Sequence, residues 1–139
     1  MNKTELLSYM RSHKLAVIGT SGAGGPQGAL VGIGVADDLQ VIFDTVSDSR
    51  KHLNLQRDAR AAVTFAGPGE RTLQYEGRAI PMNVTGMTDA DYREIYFSAW
   101  PECRAHLAWP KIAYWRIEPR WARYSDYDHG RLIEVFTFE

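Results

Sequence analysis

The stretch "SDSRKHLNLQRDARAAVTF" (47–65) sets two adjacent cations, Arg50 and Lys51, where a helix should begin. The positive end of a helix dipole disfavours cations and attracts anions, so this pair calls for a chemical reason. Ser47 or Ser49 can cap a helix running through "RKHLNLQRD". Its first turn leaves backbone N–H groups free beside a hydroxyl, a guanidinium and an ammonium. This is the equipment of a phosphate site: amides and dipole favour the anion, Arg50 grips two oxygens as a fork, and Lys51 adds a point charge. The competing reading makes both side chains solvated helix residues offset by Asp48 and Asp58.

Other chemistries find less support. His13, His52, His106 and His129 lack HxxxH or HExxH spacing, so no metal site is expected. Cys103 is the single cysteine and excludes an intramolecular disulfide, a CxxC pair or a zinc cluster of cysteines. It lies in "WPECRAH" with His106 three residues on, and reads as a partly buried thiol. No GxSxG elbow is present. The glycines of "GTSGAGG" (19–25) lack GxGxxG spacing and precede no helix, which leaves them a turn between strands. No catalytic acid, base or nucleophile stands out, and none is assigned.

The elements that must hold the phosphate site are mostly strands. "TELLSYMRSH" (4–13) has apolar residues at helical spacing behind Thr4, a candidate N-cap. "KLAVIGTS" and "GALVGIGVA" are rich in β-branched residues and flank the turn-forming "GAGGPQ" (22–27), so they predict a hairpin. "LQVIFDTV" (39–46) is a third strand, with Leu39, Val41, Phe43 and Thr45 on one face and Gln40, Ile42, Asp44 and Val46 on the other. "RAAVTFA" (60–66) and "RTLQYEGRAIPM" (71–82) are two more strands across "GPGE". A helix is expected over 88–100, with Thr88 as N-cap, Asp91 as its capping-box partner and Met87 stapled onto Tyr92, and Pro101 ending it. A last strand region, 111–127, is interrupted near Pro119. About six strands with short turns favour a mainly β, closed or nearly closed antiparallel barrel, since closure removes exposed edges.

Composition narrows the class. The 139 residues are 45% hydrophobic and 12% aromatic, enough for the core of one domain spanning 1–139. Sixteen basic residues against seventeen acidic ones give a net charge of −1, without the basic excess of a nucleic-acid partner. "MNKTELLSYMRSH" is too polar for a signal peptide, and no apolar run approaches the ~20 residues that span a bilayer. With a lone cysteine, this predicts a cytoplasmic protein that keeps no membrane partner.

"VIFDTVSDSRKHLNLQRDARAAVTF" (41–65) resembles the strand, loop and helix of the pyridoxamine 5′-phosphate oxidase-like FMN-binding split-barrel family. Thr45, Ser49, Arg50 and Lys51 fall on that family's Thr and Ser-Arg-Lys positions, and "RDARAAV" has Ala59 where the family has proline. A looser similarity runs from "LAVIGT" through "YEGRA" (75–79) to "YWRIEPRWARYSDY" (114–127). The resemblance implies a six-stranded split barrel and a homodimer holding FMN in a groove between subunits. Arg50 and Lys51 would meet the phosphate, with Thr45 and Ser49 nearby. Backbone of Ala29, Leu30 and Val31, with Gly32 and Gly34 beside them, would approach the flat ring; a twist or bulge explains these glycines equally well. Thr72 and Gln74 resemble the position where a polar side chain meets the flavin, although Gln74 can equally face solvent.

Departures from the oxidase proper are specific. Its phosphate-binding Arg and Lys of the second strand align with Ala29 and Gly34, its flavin-side tryptophan with Ser125, and its Arg-Leu-His-Asp-Arg stretch with "RLIEV" (131–135). Oxidation of pyridoxamine phosphate is therefore not expected. The implied activity is that of a flavin-dependent oxidoreductase on another small molecule. The alternatives are an F420-dependent oxidoreductase and a non-catalytic flavin-binding or sensing module. Trp100, Trp109, Trp115 and Trp121 read mainly as core and interface packing.

Overall fold

Strands, marked by alternation of buried and exposed side chains, make up a little under half of the chain, and a computed structural model describes all of residues 1–139. Strands β1 (Leu15–Gly22) and β2 (Gly25–Gly32) form the expected hairpin, paired from Leu15↔Gly32 to Gly22↔Gly25. Its two-residue turn is closed by Gly25, whose φ of +117° suits glycine. Short β3 (Gly34–Val35) pairs with β4 (Val41–Val46). Then β5 (Arg60–Ala66) and β6 (Arg71–Met82) pair, β7 (Ile112–Asp126) joins β6 to β4, and β8 (Leu132–Thr137) adds to β7. The helices are α1 (Lys3–Arg11), α2 (Arg50–Arg57) and α3 (Ala90–Ala99), with a 3₁₀ segment over Pro101–Ala108.

Topology explains the shape. The strand order is β2-β1-β5-β6-β7-β4-β3, with every pairing antiparallel. Strands β2 and β3 end this path at opposite sides, yet only Ile33 separates them in the chain. The sheet must curl until its ends approach. The result is mainly β, an open curled antiparallel sheet with a few helices, as expected of a split barrel. Its interior holds a core of 21 buried residues, among them Ile18, Phe43, Phe65, Tyr75 and Trp115. A second cluster of eight, including Ile42, Tyr96, Phe97 and Tyr114, lies under α3 on the other face of β4. No helix is long and apolar enough to cross a membrane.

Several local expectations are corrected. The sheet has eight strands: β3 is split off from the strand expected over 28–36, and β8 was not anticipated. Asn2, not Thr4, caps α1, its side chain accepting from the Glu5 N–H at 2.8 Å in a reciprocal capping box. Asp89, not Thr88, is the N-cap of α3, and its carboxylate instead accepts from the Asn83 N–H at 2.8 Å. Met87 is 88% exposed and staples nothing. Strand β7 runs unbroken past Pro119, because the register shifts there: Gly77 faces Pro119 while Glu76 faces Trp121, leaving Arg120 as the extra residue of a bulge. A bulge tolerates a residue without an N–H.

Candidate cofactor site

The start of α2 is built by two hydroxyls. Ser49, not Ser47, is the N-cap: its φ and ψ are −72° and 153°, and its Oγ accepts from the His52 N–H at 3.2 Å. Thr45, at the end of β4, places its Oγ1 2.8 Å from the Ser49 Oγ. The Arg50 and Lys51 N–H groups have no partner within the protein, and the first turn contains no acid. Nor do Asp48 and Asp58 neutralise the two cations. Asp48 pairs with Lys111 at 3.0 Å, and Asp58 takes Arg60 at 2.6 Å, whose hydrogen bond holds its carboxyl down at about 2. Free amides, two hydroxyls and two uncompensated cations thus converge at one helix tip, an arrangement suited to a phosphate dianion.

Buried polar contacts fix that tip. Asn54 donates to Thr20 Oγ1 at 3.0 Å and to Gln27 Oε1 at 3.1 Å, tying α2 to the β1–β2 hairpin. Trp115 Nε1 donates to His52 Nδ1 at 3.0 Å, so the imidazole is neutral with its proton on Nε2. Burial pushes the His52 pKa below its ordinary 6.5. Below pH 6.5 the unfolded chain therefore binds a proton that the folded one refuses. Stability is full above that pH and falls as the pH drops beneath it, because protonating Nδ1 also abolishes the Trp115 hydrogen bond. In urea unfolding between pH 7.5 and 5.5, the parent should lose more stability than His52→Gln, whose amide oxygen still accepts from Trp115 but does not titrate. Parallel losses would exclude His52 as the cause.

The remaining sequence-derived residues divide by face. Ala29 and Val31 pair with the buried Ile18 and Ala16 and share their inward side, whereas Leu30 is 66% exposed. Gln74 is exposed and Thr72 half-buried on β6, three strands along the sheet from β2. One chain therefore brings Thr45, Ser49, Arg50 and Lys51 together but leaves Thr72 and Gln74 on the outer face. There the register lines up Leu30, Val17, Thr64, Gln74, Arg123 and Val135 in one row across six strands. Leu30, Val17 and Val135 are exposed, and the Arg123 Nε is buried without a partner. The alternation in β1 and β5 was a visible signal for this row; its extension to Val135 required β8. Sequence reasoning also missed the meeting of Asp44 with His106, whose Nδ1 lies 2.7 Å from the Asp44 Oδ2.

Comparison with known proteins gives a consistent picture. The family model described as pyridoxamine 5′-phosphate oxidase matches residues 3–126. No curated protein matches. Among solved structures, a heme binding protein from Mycobacterium smegmatis superposes with a TM-score of 0.83 at 17% identity, over 97% of this chain and 57% of its own length. The present chain thus spans little more than half of that protein. A Clostridium acetobutylicum protein related to general stress protein 26, of the pyridoxinephosphate oxidase family, superposes at 0.73 with 14% identity, covering 99% and 97% of the two chains. A heme storage protein from Vibrio cholerae gives 0.73 at 11% identity, covering 96% and 92%. At such identities the likeness is one of fold.

Proposed function

The chain belongs to the pyridoxamine 5′-phosphate oxidase family, and from that premise we propose that it binds FMN and acts as a flavin-dependent oxidoreductase on a small molecule. One observation carries the reading: Arg50 and Lys51 stand uncompensated at the α2 tip beside free backbone amides and the Thr45–Ser49 hydroxyl pair. These residues fit a phosphate ester, with Arg50 and Lys51 on its charge and Ser49 on an oxygen. The flavin would supply the redox chemistry itself, while the chain binds, orients and excludes water. Pyridoxamine phosphate is not the proposed substrate. Ser125 is buried within β7, and the segment that would carry the oxidase's histidine and arginine is strand β8 instead.

The proposed protein is a homodimer joined through the outer face of the sheet. Leu15, Val17, Leu30 and Val135 expose 48%, 39%, 66% and 55% of their surface, and covering them is favourable. With the groove between subunits, Thr72 and Gln74 would serve the cofactor held by the other copy's α2. Two of the structural neighbours are a heme binding protein and a heme storage protein, so the decisive measurement is the visible spectrum of the purified protein with the mass of the ligand released on denaturation. Flavin bands and the FMN mass are expected. The F420 mass would change the cofactor and keep the phosphate site, and a Soret band would overturn the assignment. Flavin that NADH and NADPH fail to reduce would support a binding or sensing module over an oxidoreductase.

A further inference from the structure

Strand alternation gives β4 a second role. The strand that turns Thr45 toward α2 turns Asp44 the opposite way, with Ile42, toward the smaller core. There it meets the 3₁₀ segment. One donor atom each from Asp44, Cys103 and His106 lies within 4.8 Å of the other two. The Asp44 and His106 side chains are 15% and 24% exposed and Cys103 is 9% exposed, so the group sits just beneath the surface. The Trp109 ring stacks on the imidazole with centroids 3.9 Å apart and fixes its orientation.

A second observation points to something held there. Tyr114 lies directly opposite Asp44 on β7, is 1% exposed, and its hydroxyl has no hydrogen-bond partner. Leaving a buried hydroxyl donor unpaired is costly. A water on an ion held by the three side chains would give it a partner.

We propose that Asp44, Cys103 and His106 bind one divalent transition-metal ion of borderline softness, zinc above all, with a water in the fourth position hydrogen-bonded to Tyr114. One sulfur, one nitrogen and one oxygen ligand make a donor set for zinc or cobalt, whereas magnesium and calcium require oxygen. Bonds of about 2.0–2.3 Å at tetrahedral angles set ligand atoms roughly 3.3–3.8 Å apart, so the 2.7 Å Asp44–His106 contact must open while any pair near the 4.8 Å limit closes by about 1 Å. On binding, the Cys103 thiol loses its proton to solvent as the metal–thiolate bond forms, while His106 ligates through a neutral imidazole nitrogen and Asp44 through a carboxylate oxygen. The ion clips the 101–108 segment to β4. Because Asp44 and Thr45 point to opposite faces, the site is independent of the proposed FMN site.

The test uses the full chain, stripped with chelator under reducing conditions and titrated with cobalt(II). One equivalent should produce a near-ultraviolet thiolate-to-cobalt charge-transfer band together with the visible bands of tetrahedral cobalt, and zinc should erase both. Cys103→Ser should abolish the charge-transfer band and weaken zinc about a hundredfold or more, while Tyr114→Phe should keep the band and weaken zinc about tenfold. Near-ultraviolet circular dichroism checks that the variants are folded. No charge-transfer band in the parent protein, or zinc bound as tightly by Cys103→Ser, would overturn the proposal. A simple His106–Asp44 ion pair beside an inert thiol predicts those results.

Discussion

Changing Arg50 and Lys51 together to alanine is expected to weaken FMN binding about a hundredfold, while riboflavin binding changes less than about threefold. A hydrogen bond to a charged group contributes about 1.5–3 kcal/mol, and two such contacts on an exposed helix tip sum to about 3 kcal/mol after solvent screening. Riboflavin lacks the phosphate, so it has nothing to lose there. Three features of the tip make the effect large. The acids that would otherwise neutralise the pair are engaged by Lys111 and Arg60, the first turn of α2 has no carboxylate, and the Arg50 and Lys51 amides are free. Salt supplies an independent readout. FMN affinity of the parent should fall with ionic strength, and the double variant should lose most of that dependence. Titrations of both ligands, followed by flavin fluorescence, decide the matter: equal losses for FMN and riboflavin would put the phosphate elsewhere.

Where one residue's neighbours lie close in sequence, the chain could be read directly. Ser49, Arg50 and Lys51 are consecutive, so a cap, a dipole and a cationic pair could be inferred together, and the bounds of β5 and β6 follow from alternation between turn residues. What escaped depends on partners far along the chain. Asp44 and His106 are separated by 62 positions, and no spacing rule anticipates that β4 aims a carboxylate at a 3₁₀ segment. The 3₁₀ segment itself has no 3.6-residue periodicity to betray it. Strand β8 alternates only weakly, because Leu132 and Val135 are both exposed and its pairing is to the outer part of β7. Ser49 could not be told from Ser47 as the cap until the Ser47 N–H was seen to bond the Lys111 carbonyl, which holds Ser47 to the end of β7. Gln74 shows the same limit from the other side: its type suits a ring contact, but its face is set by strands β5 and β7 beside it.

Gly77→Ala is expected to destabilise the fold by about 3 kcal/mol or more, a large share of the roughly 5–15 kcal/mol available to a domain. Gly77 is buried on β6 opposite the bulge of β7. A Cβ there would collide with the Glu118 carbonyl oxygen and stand 2.8 Å from Ile117 Cγ2 and 3.0 Å from the Glu118 carbonyl carbon. The obstructing atoms are mostly backbone, which cannot rotate aside as a flexible side-chain end could. Relief requires the two longest strands to separate, and Tyr75 sits two residues away with its hydroxyl 2.8 Å from the Ile117 carbonyl and 2.9 Å from that of Leu39. Separation would thus strain the hydrogen bonds by which the core grips β7. Gly24→Ala is the control: its Cβ meets nothing within 4 Å, so stability should stay within about 0.5 kcal/mol of the parent. Thermal unfolding followed by circular dichroism compares the two, with a fall of about 10 °C expected for Gly77→Ala. A melting temperature equal to that of Gly24→Ala would mean that β6 and β7 part at the bulge without cost.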